Sequence, residues 1–463
     1  MNRRVMKRMN ADQYFKENRK THLDQLIDWL RIPSISALSE HKPDMRRAAE
    51  WLVAELKRIG MTKACLMETG GHPAVYAERI DHPGKPIALI YGHYDVQPVD
   101  PLNLWTTPPF QPAIRDEKLY ARGASDDKGQ VFMHVKVIEA ILKAEGKLPF
   151  NVKFLVEGEE EVGSTNLERF LHEQKDLLKC DVVVISDTGL YARGIPSLTY
   201  ALRGLAALEV EVTGAKGDLH SGLFGGAAPN AVHALVGMLA SLRRLDGGIA
   251  VAGFYDGVQE LSAEEKAAFA SLGFDENKLM ADLAVKALPG EPGYSALERM
   301  WARPTLEING VFGGFQGEGT KTVIPNKAGA KITCRLVPDQ DPKHVQDVIE
   351  AHLRAACPPG VTVSVKRGDG AKACITPIDH PAIRAAMQAL AEAYGTEAKF
   401  IRGGGSVPVV GSFTEVLGAP SVLMGFGLED ENFHAPNEHF NLENFDKGMR
   451  ALYTYWFKLA QVM

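Results

Sequence analysis

Three apolar runs in this chain stop abruptly at a histidine or a carboxylate. Ile87–Tyr91 runs into Gly92, His93, Tyr94 and Asp95. Phe154–Val156 runs into Glu157 and then Glu159, Glu160 and Glu161, and Val182–Ile185 runs into Ser186 and Asp187. Charge at the end of a buried segment is costly unless it is paired or bound to metal, so its repetition points to metal chemistry. In His93-Tyr94-Asp95 the outer two residues fall on one side of an extended segment, where a carboxylate can hold the second nitrogen of a metal-binding imidazole. Glu159, Glu160 and Glu161 project in different directions, so one can bind a cation while a neighbour stays free as a general base. Asp126-Asp127 lies in a turn bounded by Gly123 and Gly129, where capping a helix is the ordinary use of an acid. His434 follows the turn Gly425-Phe426-Gly427 and gains meaning only from company. Two histidines with three carboxylates at strand ends form a nitrogen and oxygen donor set suited to two divalent ions.

Such residues need elements to hold them. The three runs are short and rich in β-branched residues, which reads as strands buried on both faces of a parallel sheet. Ligands of open α/β sheets collect outside the carboxyl ends of such strands. Helical spacing is evident over Ala11–Leu30 and Arg46–Ile59, the latter stopped by Gly60. It recurs after Asp127, with Val131, Val135, Ile138 and Leu142 on one stripe, as a crossover between two parallel strands requires. From about residue 199 the style changes to alternation: Leu208, Val210 and Val212; Ile332, Cys334 and Leu336; Val361, Val363 and Val365. Period two with one polar face describes an antiparallel sheet, covered by helices near 230–244 and 342–356. Within it, 247–307 reads as a further helical and loop insertion broken by Pro289, Pro292 and Pro304. The α/β style returns near Ile375, with a helix over 381–394 and a strand over 420–424. The expected organisation is a catalytic α/β domain from 1–198 and 373–463, with a mostly parallel mixed sheet between helices, interrupted by an α+β domain at 199–372.

Composition excludes several classes. With 463 residues and a net charge of −6, the chain shows no basic cluster for nucleic acid. Cys65, Cys180, Cys334, Cys357 and Cys374 are scattered and odd in number, against thiolate zinc sites and disulfide frameworks and in favour of a reducing, cytoplasmic setting. No apolar h-region follows the basic N-terminus, and no stretch reaches membrane-span length, so neither secretion nor membrane insertion is expected. Gly313–Gly319 lacks the dinucleotide-binding order and Gly403-Gly404-Gly405-Ser406 lacks a P-loop continuation, so both read as turns or close backbone approaches to substrate.

As an ordered set, His93-x-Asp95, Gly123-x-x-Asp126-Asp127-Lys128-Gly129, Glu157-Gly-x-Glu160-Glu161-x-Gly163-Ser164, Ser186-Asp187, Asp218-x-His220-Ser221-Gly222 and His434-x-x-Asn437-Glu438 resemble the M20 family of metallopeptidases. The similarity is greatest to its carnosinase-like, cytosolic non-specific dipeptidase branch. The resemblance implies a zinc-exopeptidase-like fold with an inserted lid that also forms a homodimer interface. It implies two divalent ions, Zn first and Mn or Co as alternatives. His93 and Asp187 would hold one, Glu161 and His434 the other, with Asp126 bridging and the peptide bond after it often cis. Glu160 would be the general base acting on a water between the ions, and Asp95 would orient His93. His220 would reach across the dimer to the partner's active site, steadying the oxyanion, while Thr322, Arg335 and Ser406 would contact substrate. Arg335 lies on the polar face of its strand, as a carboxylate-binding arginine should. One position departs from the family: Gly403 stands where the dipeptidase branch carries a glutamate near the substrate's amine. The alternative to a dipeptidase is therefore an N-acyl-amino-acid deacylase of the acetylornithine or succinyl-diaminopimelate type.

Overall fold

The computed structural model describes residues 3–405 and 408–463, with side chains for 11–405 and 409–463. The chain divides into two compact units. Met1–Tyr200, Thr376–Ile401 and Ser412–Met463 make the first, and Ala201–Ile375 with Arg402–Gly411 the second.

In the first unit, helices α1 (Arg3–Leu30) and α2 (Lys42–Ile59) precede the sheet. Ala49, Leu52, Leu56 and Ile59 are buried along one face of α2, and Gly60 ends it at φ 103°, a conformation open to glycine. The strands follow in order: β1 (Lys63–Met67), β2 (Ala74–Arg79), β3 (Ile87–His93), β4 (Ala113–Arg115), β5 (Lys118–Tyr120), β6 (Asn151–Glu157), β7 (Val182–Ile185) and β8 (Ser197–Leu202). Helix α3 (Lys128–Glu145) links β5 to β6 and differs from its sequence reading. Its apolar stripe suggests one wet face, yet the helix is buried from Lys128 to Ile141. Each polar residue enclosed there has a partner. Lys136 pairs with Glu55 and with Glu139 at 3.0 Å, His134 meets Ser186 Oγ at 2.8 Å, and Gln130 donates to Ser125 O and accepts from Phe426 N–H.

The second unit carries β9 (Gly204–Thr213), β10 (Leu219–His220), β11 (Thr305–Gly313), β12 (Val323–Ile324), β13 (Lys327–Leu336), β14 (Thr362–Ala371) and β15 (Cys374–Ile375). Four of these form an antiparallel sheet in the order β11-β13-β9-β14. Ala206, Leu208, Val210 and Val212 alternate into a core shared with helices Ala231–Ala240 and Pro342–Ala356. The segment 247–307 contributes three short helices, two of them opened by capping boxes at Ser262/Glu265 and Ser295/Glu298.

The chain returns to the first unit at Thr376, and β16 (Lys399–Gly403), β17 (Ser421–Leu423), β18 (His439–Asn441) and a last helix, Leu442–Val462, follow. The main sheet runs β1-β2-β6-β3-β7-β17-β8-β15, with β16 also on β8. It is parallel across its four central strands, β6, β3, β7 and β17, and antiparallel at the flanks. The central strands are the ones buried on both faces, which is why they read as unbroken apolar runs. No helix among the described residues is long and apolar enough to cross a membrane.

Candidate metal centre

Because β6, β3 and β7 are parallel neighbours, their carboxyl ends lie side by side. His93 stands opposite Glu157, and Tyr91 opposite Ile185, two residues before Asp187. His93 is fully buried, and its Nδ1 lies 3.0 Å from the carbonyl oxygen of Asp95. A carbonyl only accepts, so Nδ1 carries the proton and Nε2 is the ligand-capable atom. That Nε2 faces Asp126 Oδ1 at 3.0 Å and Asp187 Oδ1 at 3.9 Å. The other oxygen of Asp126 meets His434 Nε2 at 2.9 Å, and Glu161 Oε2 lies 3.3 Å from the same nitrogen. Each Asp126 oxygen thus addresses a different histidine. The ligand atoms of His93, Asp126 and Glu161 lie within 4.8 Å of one another, as do those of His93, Asp127 and Asp187. The peptide bond between Asp126 and Asp127 is cis.

The carboxylates are crowded and short of positive charge. Burial and then neighbouring Asp126 push Glu161 up to about 8. Asp127 and Asp187 are raised well above the carboxylate range, by burial first and then by the acids around them. Asp126 is held low despite its burial, by hydrogen bonds from His434 and His93. Burial disfavours a charged His93, but Asp126 and Asp95 outweigh it and hold the imidazole above its ordinary range. Asp127 Oδ1 is buried with no hydrogen-bond partner among the described residues. An excess of desolvated carboxylate oxygen around two imidazoles, with one oxygen orphaned, fits divalent cations.

The three consecutive acids after β6 have separate fates. Glu159 accepts from Asn166 Nδ2 at 2.9 Å. Glu161 accepts from Gln97 Nε2 at 2.8 Å and faces His434. The Glu160 carboxylate has no hydrogen bond or ion pair among the described residues, and burial raises its pKa. Asp95 takes a part beyond orienting His93, since its carboxylate accepts the backbone N–H of Glu160 at 3.3 Å and of Glu161 at 3.1 Å. Its carboxylate lies 3.4 Å from His93 Nδ1, so its own carbonyl makes the closer contact with the ring.

Residues without an assigned role in the sequence reading complete the centre. Glu438 is buried and accepts from Arg122 Nη1 at 2.7 Å and from the N–H groups of Gly123, Ser125 and Asp126 at 3.0, 3.1 and 3.2 Å. It fixes the turn that presents Asp126. Asp127 accepts the His93 N–H at 3.3 Å, and Gln97 braces Glu161. Glu438 had one sequence signal, its place in the motif His434-x-x-Asn437-Glu438.

The remaining sequence candidates lie in the second unit or outside the described residues. His220 is exposed on β10, accepts from Gly222 N–H at 3.0 Å, and stands opposite Val323. Thr322, the residue before Val323, is exposed and accepts from Ser221 N–H through its carbonyl. Arg335 is half-buried on β13 opposite Thr305 and lines a cavity. Ser406 lies outside the described residues.

The sequence profile of peptidase family M20/M25/M40 matches residues 89–458. The chain is 31% identical to the human Beta-Ala-His dipeptidase, covering 97% of this chain and 92% of that protein. It is 32% identical to the Cys-Gly metallodipeptidase DUG1 of Candida albicans, covering 95% of each. The solved structure of an M20 family metallo-carboxypeptidase, Sso-CP2 from Sulfolobus solfataricus, superposes with a TM-score of 0.83 at 34% identity. It covers 96% of this chain and 99% of that one.

Proposed function

Because the chain belongs to peptidase family M20/M25/M40, we propose that it is a metallodipeptidase, hydrolysing the amide bond of dipeptides with Glu160 as general base. The names of its relatives, a Beta-Ala-His dipeptidase and a Cys-Gly metallodipeptidase, support that substrate class. The observation that carries the base assignment is the free carboxylate of Glu160 between two acids that are each tied down. Two divalent ions, zinc first, with manganese or cobalt as alternatives, would supply Lewis acidity and lower the pKa of water towards about 7. His93 and Asp187 would hold one ion, Glu161 and His434 the other, and Asp126 both. Glu160 takes the proton of the attacking water and returns it to the leaving amine. Asp95 and Glu438 hold that apparatus still by fixing the Glu160–Glu161 turn and the Asp126 turn. Arg335, Thr322 and Ser406 would bind substrate, Arg335 at its C-terminal carboxylate. His220, exposed on β10, would serve the active site of the second subunit of a homodimer. Five free cysteines accord with a cytoplasmic setting.

Gly403 favours one rival, a deacylase of N-acyl amino acids. The deciding experiment is hydrolysis of Ala-Ala, Cys-Gly, carnosine and N-acetyl-Ala by chelated enzyme, with and without added Zn²⁺ or Mn²⁺. Metal-dependent cleavage of free dipeptides is expected. Cleavage of N-acetyl-Ala alone would move the activity to deacylation with the same metal centre.

A further inference from the structure

Between β17 and β18 the chain carries His434 on a backbone that needs holding. Asn432, His434 and Asn437 have φ of 57°, 57° and 62°, three left-handed residues in one short stretch. Such a conformation persists only where the surroundings over-determine it. The group that holds it is Glu431, three residues before His434 and fully buried. Its Oε2 accepts the Leu428 N–H at 3.1 Å and its Oε1 the Asn441 N–H at 2.8 Å, so one carboxylate ties the segment at both ends. The same Oε2 accepts the hydroxyl of Ser125, 306 residues away in sequence and next to Asp126. Glu438 takes the backbone N–H of that serine, and Glu431 takes its side chain.

All three donors to Glu431 are neutral, and no cation pairs with it among the described residues. Enclosing an acid on those terms is costly, and burial pushes its carboxyl up to about 7. A glutamine would avoid that cost, but its amide has one acceptor oxygen and would set an N–H against an N–H. The acid is there for its two oxygens. One joins the Asp126 turn to the start of the His434 segment, and the other reaches the end of that segment.

We infer that Glu431 is a positioning residue of the metal centre, locking the segment of His434 to the turn of Asp126. It thereby fixes the 2.9 Å approach of their side chains. The inference rests on the reading of His434 and Asp126 as metal ligands. The link through Ser125 carries the effect on metal, and the two N–H groups carry the order of the segment.

The test measures Zn²⁺ affinity of the chelated, full-length protein by competition with a chromophoric chelator, together with hydrogen exchange of its backbone amides. E431Q weakens Zn²⁺ binding by about tenfold to a hundredfold, the usual effect of losing a group that orients metal ligands. It also speeds exchange at Leu428 and Asn441. S125A weakens Zn²⁺ binding by about tenfold but leaves that exchange slow, because Glu431 keeps both N–H groups. E55Q is the control. It breaks a buried ion pair whose partners, Arg58 and Lys136, touch none of the candidate ligands. It lowers the thermal midpoint and leaves Zn²⁺ affinity unchanged. Wild-type affinity in either E431Q or S125A overturns the inference, and so does an equal loss in E55Q. Should E431Q fail to fold, S125A decides alone. If the wild-type protein binds no Zn²⁺, the metal reading itself fails, and exchange still reads the lock: faster exchange in E431Q upholds it, and unchanged exchange overturns it.

Discussion

Glu438 offers a sharp test of how the centre is held. It is 316 residues from Arg122, its charged partner, and both side chains are 1% exposed. Three of its four hydrogen bonds come from backbone N–H groups of residues 123–126. In E438Q the amide keeps the volume but presents a single acceptor oxygen, and it leaves the Arg122 guanidinium buried with Pro98 O at 3.0 Å. Breaking a buried ion pair from that side costs about 3 to 5 kcal/mol, a fall in Tm of roughly 6 to 20 °C. R122M is the milder change, about 1 to 3 kcal/mol, because Glu438 keeps its three backbone donors. Differential scanning calorimetry gives the order, and competition with a chromophoric chelator gives metal affinity. E438Q is expected to weaken metal binding more than R122M, since only Glu438 touches the Asp126 turn directly. Equal losses in the two variants, or a larger loss in R122M, would refute the reasoning: Glu438 would then be a plain ion-pair partner.

Three further outcomes follow from the geometry. E160Q should keep metal stoichiometry and thermal midpoint while turnover falls by about 10²- to 10⁴-fold; near-normal kcat would place the base elsewhere. Chelation should lower Tm and restoring the ion should raise it, by about 2.7 kcal/mol of stability per site at a free ion concentration of 100 Kd. An unchanged melting curve would show that the crowded carboxylates need no cation. Burial, helped by Lys136, lowers His22 to about 4. Its folded pKa is below the unfolded value, so its contribution is complete above about pH 6.5 and is lost as pH falls towards 4, at most roughly 3 kcal/mol. H22L should therefore flatten the acid limb of the stability profile measured by urea unfolding, and an unaltered limb would exclude His22 as its source.

The site-bearing strands were legible because burial on both faces leaves an unbroken apolar run, and a charge at its end stands out. β9, β13 and β14 were legible for the opposite reason, a single wet face that forces alternation. The short strands β4, β5 and β18 span three residues each, too few to express a period. The burial of α3 was not legible either. Its lysine, histidine and glutamate look like a solvent face until Glu55 and Ser186, far away in sequence, supply their partners. Glu438 was visible only as a motif residue, because its partners are backbone N–H groups that any side chains could carry. The order of His93, Asp126, Glu161, Asp187 and His434 along the chain pointed to metal chemistry. Which oxygen faces which nitrogen is set by neighbouring strands and had to be seen.

Asp95 has a consequence for how such an enzyme can diversify. One residue steadies the His93 ring through its carbonyl and clasps the N–H groups of both Glu160 and Glu161 through its carboxylate. A change that tilts the base therefore also tilts two candidate ligands, so proton transfer and metal affinity are pleiotropic traits of a single position. Lineages descending from this centre cannot adjust one without disturbing the other.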